Sequence, residues 1–183
     1  MKIFSGKKEN QNKTIIENII LENYNRYYRL AYQYAHNEED ACDIVQNGAL
    51  NALKNSHSLK KTEYADTWIY RIMLNECFRF VKRPKHFSYE AVQEAGDMKA
   101  GYMEDAYANV DLQRAVDLLP EKYRAIVILK YFEDRTLEEI ADILDENVNT
   151  VKSRLYRCMK KMRKSLSDNK GDNRYNLNSG IGG

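Results

Sequence analysis

The stretch TLEEIADILDENVNTVKSRLYRCMKKMRK, residues 136–164, decides the fold. Leu137, Ile140, Ala141 and Leu144 recur at helical spacing, and the polar run Asp145-Glu146-Asn147 then breaks the pattern. A second helix starts near Val148 and carries Lys152, Arg154, Arg157, Lys160, Lys161, Arg163 and Lys164 with no acidic residue between them. Two helices joined by a short turn, the second of them basic, are the sequence pattern of a helix-turn-helix. DNA is therefore the first partner to test.

Working outward, the rest of the chain also reads as helix. Its 183 residues contain only two prolines and eight glycines, and hydrophobic residues make up 43%. That suits one ordinary domain or two small ones, each with a real core. The net charge of +2 is uninformative, but its distribution is not, because positive charge clusters in two helical segments and the middle is acidic. Cys42, Cys77 and Cys158 are odd in number and widely spaced, which argues against a disulfide framework or a metal site. His36, His57 and His86 are equally scattered. There is no glycine-rich phosphate loop and no nucleophile constellation, so no catalytic residues, cofactor or small-molecule substrate are expected. No apolar run is long enough to span a bilayer, and residues 1–13 lack the apolar segment of a signal peptide, so a cytoplasmic location is expected.

The expected fold is all-α, with two small helical domains joined by a flexible acidic linker. Residues 1–13 read as a disordered arm and 14–83 as an N-terminal helical domain. Within it one long helix is expected from Ile15 to Tyr34. A second is capped by Asn37, has Glu38, Glu39 and Asp40 in its first turn, and ends near Lys54. A third runs from about Tyr64 to Lys82 and stops before Pro84. Residues 84–110 are acidic and aperiodic and read as the linker. Residues 111–167 read as a C-terminal domain ending in the helix-turn-helix, and 168–183 as a disordered tail.

The faces of these helices sort by chemistry. On the third, Ile69, Tyr70, Met73, Leu74, Cys77, Phe80 and Val81 share an apolar side, while Trp68, Arg71, Asn75, Arg79 and Lys82 share the other. The only tryptophan thus sits with the cations, an arrangement that suits stacking on an unpaired base while arginines hold phosphates. On the second, Asp40, Asp43, Asn47 and Leu50 share a face with Gln46 at its margin. A leucine among carboxylates and amides reads as a protein-docking surface, since phosphates would be repelled; a plain solvated face is the competing reading. On the last helix, Val151, Leu155, Cys158, Met162 and Leu166 fall in one arc, opposite Ser153, Tyr156, Arg157, Lys160 and Lys164.

Together these residues resemble a bacterial RNA polymerase sigma factor of the extracytoplasmic-function (ECF) group. The resemblance is carried by Asp40-Ala41-Cys42-Asp43-Ile44-Val45-Gln46, by Thr67-Trp68-Ile69-Tyr70-Arg71-Ile72 followed by Asn75, and by Leu118-Leu119-Pro120. Tyr123-Arg124, Glu139-Ile140-Ala141 and Asn149-Thr150-Val151-Lys152-Ser153-Arg154-Leu155 complete it. It implies that Asp43, Gln46, Asn47 and Leu50 dock core RNA polymerase. It also implies that Trp68, Arg71, Asn75 and Arg79 engage the −10 promoter element as it opens, and that Arg135, Thr150, Lys152, Ser153, Tyr156 and Arg157 contact the −35 element. An anti-sigma factor, often membrane-anchored in the family, is the implied regulator. Asp145 stands where the family's turn commonly has glycine, and Glu146 where it is usually apolar.

Two other functions compete. A conventional helix-turn-helix regulator that binds duplex DNA without polymerase accounts for the second half but not for the Trp68 face or the Asp43–Leu50 helix. A helical protein-interaction adaptor treats both basic faces as solvated surface.

Overall fold

The acidic run Glu38-Glu39-Asp40 opens a helix just after Asn37, whose side chain accepts a hydrogen bond from the Asp40 amide at 2.9 Å. This is seen in a computed structural model that describes residues 2–83 and 112–175, with the side chains of residues 9–83 and 112–164. The described residues form helices α1 (Lys2–Glu22), α2 (Tyr24–Ala35), α3 (Glu38–Lys54) and α4 (Ala65–Lys82). They continue with α5 (112–117), α6 (Glu121–Tyr131), α7 (Leu137–Leu144) and α8 (Val148–Tyr175). Two 3₁₀ turns, Ser56–Ser58 and Thr62–Tyr64, lie between α3 and α4. The expected acidic linker, 84–110, lies outside the described residues.

The chain divides into two compact units, one built from the residues up to Arg83 together with Ile128–Lys152, the other from the remainder. The first unit is a bundle of α1–α4 around Ile16, Tyr27, Leu30, Ile44, Val45, Ile69, Tyr70, Met73 and Leu74, all buried. The apolar stripe of α3 is formed by Ala41, Ile44, Val45, Gly48 and Ala52. Ile44 and Gly48 thus belong to the buried stripe, while Ala49 is only half-buried. Gly48 is there for space, because a Cβ at that position would overlap Sδ of the buried Met73 on α4.

Three expectations are corrected. The long helix from Ile15 is two helices, α1 and α2, separated at Asn23, whose backbone and side-chain nitrogens both donate to the Ile19 carbonyl (3.0 and 2.9 Å). A side chain that competes in this way interrupts the ladder. Residues 2–13, read as a disordered arm, begin α1, and Asn12 within them is buried. The segment read as a tail from residue 168 is helical as far as Tyr175, continuing α8.

The boundary drawn at the linker also shifts, because Ile128–Lys152 pack with the first unit rather than with the rest of 111–167. A buried ionic cluster is the reason. The Glu133 carboxylate, nearly inaccessible, accepts from Arg26 Nε at 3.2 Å and from the Tyr70 hydroxyl at 2.9 Å. Arg135 Nη2 reaches Asp66 at 2.8 Å, and its guanidinium lies 4.6 Å from the Tyr70 ring centroid. Desolvating such charges costs several kcal/mol each unless every partner is in place. These bonds tie the segment to α2 and α4, although Glu133 Oε1 and Arg135 Nε are buried without a hydrogen-bond partner.

The second unit is smaller. Ala115, Val116, Leu119, Val127, Cys158 and Met162 form its buried cluster, with Leu112, Tyr123 and Leu155 packed against it. Val151, Cys158 and Met162 of the expected apolar arc of α8 are buried, Leu155 is half-buried, and the side chain of Leu166 lies outside the described ones. Arg124 is held by the Asp117 carboxylate at 3.4 Å and by the Asp117 carbonyl.

Candidate nucleic-acid interface

The α4 face is built by helical periodicity alone. Ile69, Tyr70, Met73, Leu74 and Cys77 are buried, and burial pushes the Cys77 thiol upward in pKa. Trp68 is therefore turned to the rim, half-buried, while Asn75 and Arg79 are exposed about two and three turns farther along. Glu76, which no sequence signal marked, is buried between the helices. Its Oε1 accepts from Asn51 Nδ2 at 3.0 Å and from Arg79 Nη1 at 2.7 Å. A carboxylate three residues before an arginine looks like surface pairing in sequence, and only packing shows that it ties α3 to α4.

Arg71 is placed differently from its neighbours. Its Nη2 donates to the Asp142 carbonyl at 2.7 Å and its Nε to the Ile143 carbonyl at 3.2 Å. The last carbonyls of a helix have no intrahelical partner, and a cation is favourable there. Arg71 thus caps α7 within the first unit.

The α3 face presents Asp43, Gln46, Asn47 and Leu50 together, all exposed, with Leu50 55% accessible. Beside them Asp40, Asp43, Ile44, Asn47, Glu76, Phe80 and Arg83 line a shallow recess. The mixture of carboxylates, amides and one large exposed apolar side chain is what a protein partner takes and what a phosphate backbone does not.

The helix-turn-helix is set by two caps. Thr136 Oγ1 accepts from the Glu139 amide at 3.1 Å, and the Glu139 carboxylate accepts from the Thr136 amide at 2.8 Å, a reciprocal capping box. The Thr136 amide, with Arg135 nearby, holds the Glu139 carboxyl below the usual carboxylate range against the opposing effect of burial. At the other end Asp145 adopts the left-handed conformation (φ 56°, ψ 49°), and the Glu146 amide donates to the Ala141 carbonyl at 2.9 Å. The chain thus makes with aspartate the turn that glycine makes more easily.

Thr150 and Lys152 at the start of α8 are exposed, as are Ser153, Tyr156 and Arg157 farther along it, with Tyr156 73% accessible. Arg135 departs from the expectation of a −35 contact. Its side chain is only 12% exposed and is engaged with Asp66, Glu139 and the Tyr70 ring. Burial works against its charge, but Glu139, Tyr70 and Asp66 outweigh that and raise its pKa. The Tyr70 hydroxyl, buried and facing the Glu133 carboxylate, is pushed up to about 12. Among the described residues no group of His, Cys, Asp and Glu could hold a metal ion, and no helix is long and apolar enough to cross a membrane.

Residues 19–86 match the family model for Sigma-70 region 2, and residues 109–162 match that for Sigma-70, region 4. Over 161 residues the chain is 38% identical to the RNA polymerase sigma factor SigV of Bacillus subtilis (strain 168), covering 88% of this chain and 96% of that one. It is 32% identical over 157 residues to the ECF RNA polymerase sigma factor SigW of the same organism, covering 78% of this chain and 84% of the relative. The chain belongs to the ECF RNA polymerase sigma factors. Among solved structures, the sigma factor RpoE in complex with the anti-sigma factor NepR from Bartonella quintana matches with a TM-score of 0.59 at 18% identity. That match covers 82% of this chain and 96% of RpoE. At such identity the likeness is one of fold alone, and the described residues of this sigma factor form helices and turns.

Proposed function

We propose that this sigma factor docks core RNA polymerase through Asp43, Gln46, Asn47 and Leu50 on α3, and captures the opening −10 element on α4 through Trp68, Asn75 and Arg79. Thr150, Lys152, Ser153, Tyr156 and Arg157 on α8 read the −35 element. One observation supports the reading: on α4 a half-buried tryptophan shares the exposed side with Asn75 and Arg79, apart from the buried Ile69, Tyr70, Met73, Leu74 and Cys77. A ring at the rim beside cations is a platform for unpaired bases, and stacking there favours the melted strand. Arg71 and Arg135 reach DNA only by exchanging the internal partners that hold them here.

The polymerase performs the chemistry, and this chain supplies promoter selection and strand opening without catalysis of its own. An anti-sigma factor, such as accompanies RpoE in its solved complex, holds it inactive by covering these faces. We place the chain in the cytoplasm, where its polymerase partner resides, with retention at the membrane when its regulator is anchored there. The test combines the protein with core polymerase and a promoter library. Sequence-specific open complexes that require both components support the reading. Specific duplex binding by the protein alone would instead favour a conventional regulator.

A further inference from the structure

The segment before the region 2 match holds a buried polar side chain that the proposed function does not use. Asn12 on α1 is 3% exposed. Its Nδ2 donates to the Ser56 carbonyl at 2.9 Å and to the Leu59 carbonyl at 3.0 Å, across 44 and 47 residues of sequence. An amide is buried at a cost unless it is hydrogen-bonded, and here its two donor hydrogens meet two carbonyls. Ile16, one turn along α1, is fully buried and fixes that helix in place.

The turn that Asn12 grips has local backbone hydrogen bonds, from the Ser58 amide to Asn55 and from the Leu59 amide to Ser56, and its Ser56 and Leu59 are buried. Beyond it the chain turns polar and outward. Lys60 and Lys61 are exposed, Tyr64 is 55% accessible, and Lys61 Nζ lies 5.5 Å from the Tyr64 ring centroid. Tyr64 immediately precedes α4, one helical turn before Trp68. A second exposed ring and two cations, one of them 3.4 Å from Glu63 Oε1, thus adjoin the proposed stacking surface, on a connection made of two short 3₁₀ turns.

We infer that Asn12 is a positioning residue for strand opening, latching the α3–α4 turn so that Lys60, Lys61 and Tyr64 are held next to Trp68. This rests on the reading of the α4 face given above. Without the latch the turn loses its long-range hydrogen bonds and keeps only the burial of Ser56 and Leu59, so the cations and ring beyond it are held less firmly before DNA arrives, which weakens capture of the unpaired strand.

The test uses holoenzyme reconstituted from the full chain and core polymerase, with open complexes measured by permanganate reactivity of unpaired thymines. Asn12→Ala is expected to lower open-complex occupancy about fivefold, the equivalent of one net hydrogen bond, with core-polymerase affinity unchanged. Hydrogen–deuterium exchange over residues 55–61 should quicken in this variant while α2 and α3 keep their native rates. Equal loss of polymerase affinity and opening overturns the proposal, as does unaltered exchange in the turn. If exchange quickens throughout the chain, Asn12→Ser replaces it, and losses that merely track the unfolded fraction in both variants overturn the latch. Combined with Tyr64→Ala, the loss should fall short of the product of the two single losses, because part of what Asn12 positions is already gone; full additivity counts against the proposal. Trp68→Ala tests the underlying reading. Normal opening there faults that reading, whereas impaired opening there beside normal opening in Asn12→Ala faults the latch alone.

Discussion

Asp145 offers a sharp test of the helix-turn-helix, because its backbone and its charge make opposite predictions for two substitutions. The residue caps α7 with φ 56°, and holding an L-residue there costs roughly 1 kcal/mol for aspartate, at the low end of the penalty. Its carboxylate also sits at the negative end of the α7 dipole, unfavourable by about 0.5 kcal/mol. Against this, Asp145 Oδ1 lies 3.6 Å from Arg71 Nη2, but with 84% of the side chain exposed that pair contributes at most about 0.5 kcal/mol. Asp145→Gly removes the strain and the dipole penalty, loses the pair, and adds about 0.5 kcal/mol of unfolded-chain entropy. The net expectation is a protein about 0.5 kcal/mol more stable. Asp145→Ala makes the same change in charge but keeps an L-residue in the left-handed region. It should fall about 1 kcal/mol below the glycine variant. Urea unfolding followed by circular dichroism measures both, compared at equal m-values. Indistinguishable midpoints for the two variants would refute the left-handed cap. An alanine variant as stable as the glycine one would leave only the charge to explain any gain.

Thr136→Ala should cost about 1 kcal/mol by removing half of the capping box. It should also flatten the acid limb of the stability profile. Glu139 titrates below its ordinary value, so its contribution is present above the unfolded carboxylate range and is lost as pH falls through the folded value; chemical denaturation at several acidic pH values checks this. Trp68→Ala should reduce open complexes about tenfold, within the stacking energy of one base, with core-polymerase binding intact, as read by permanganate footprinting beside a binding titration. Equal losses in both would mark Trp68 as a core residue. Arg157→Ala should weaken −35 recognition and lower the salt slope of promoter binding by about one, measured by titration at several ionic strengths, with polymerase affinity unaltered. A change in that affinity would remove Arg157 from the DNA face.

Some of the candidate site was legible because periodicity and caps are local. The separation of Trp68 from Ile69, Tyr70, Met73 and Leu74 follows from about 100° per residue, and α4 keeps to it. The exposed set on α3 follows in the same way from the burial of Ala41, Ile44 and Val45. Arg71 and Arg135 were legible as cations but not as partners. Whether a guanidinium meets phosphate or a neighbouring helix depends on groups far away in sequence, here Asp142 and Ile143 for one and Asp66 for the other. Glu76 was missed for the same reason, since its partner Asn51 lies on another helix.

By itself the sequence determined what short-range physics controls: the Asn37 cap before an acidic first turn and the apolar arcs of α4 and α8. It also determined the family, through motifs in order along two helical regions. Only the tertiary structure decided that residues 2–13 belong to a helix, because Asn12 gains its partners 44 and 47 residues away and local propensity carries no trace of them. The same holds for Ile128–Lys152, drawn to the first unit by Glu133 and Arg135. A buried polar group costs free energy unless it is paired, and the partners that pair Asn12, Glu133 and Arg135 come from distant parts of the folded chain rather than from any stretch within it.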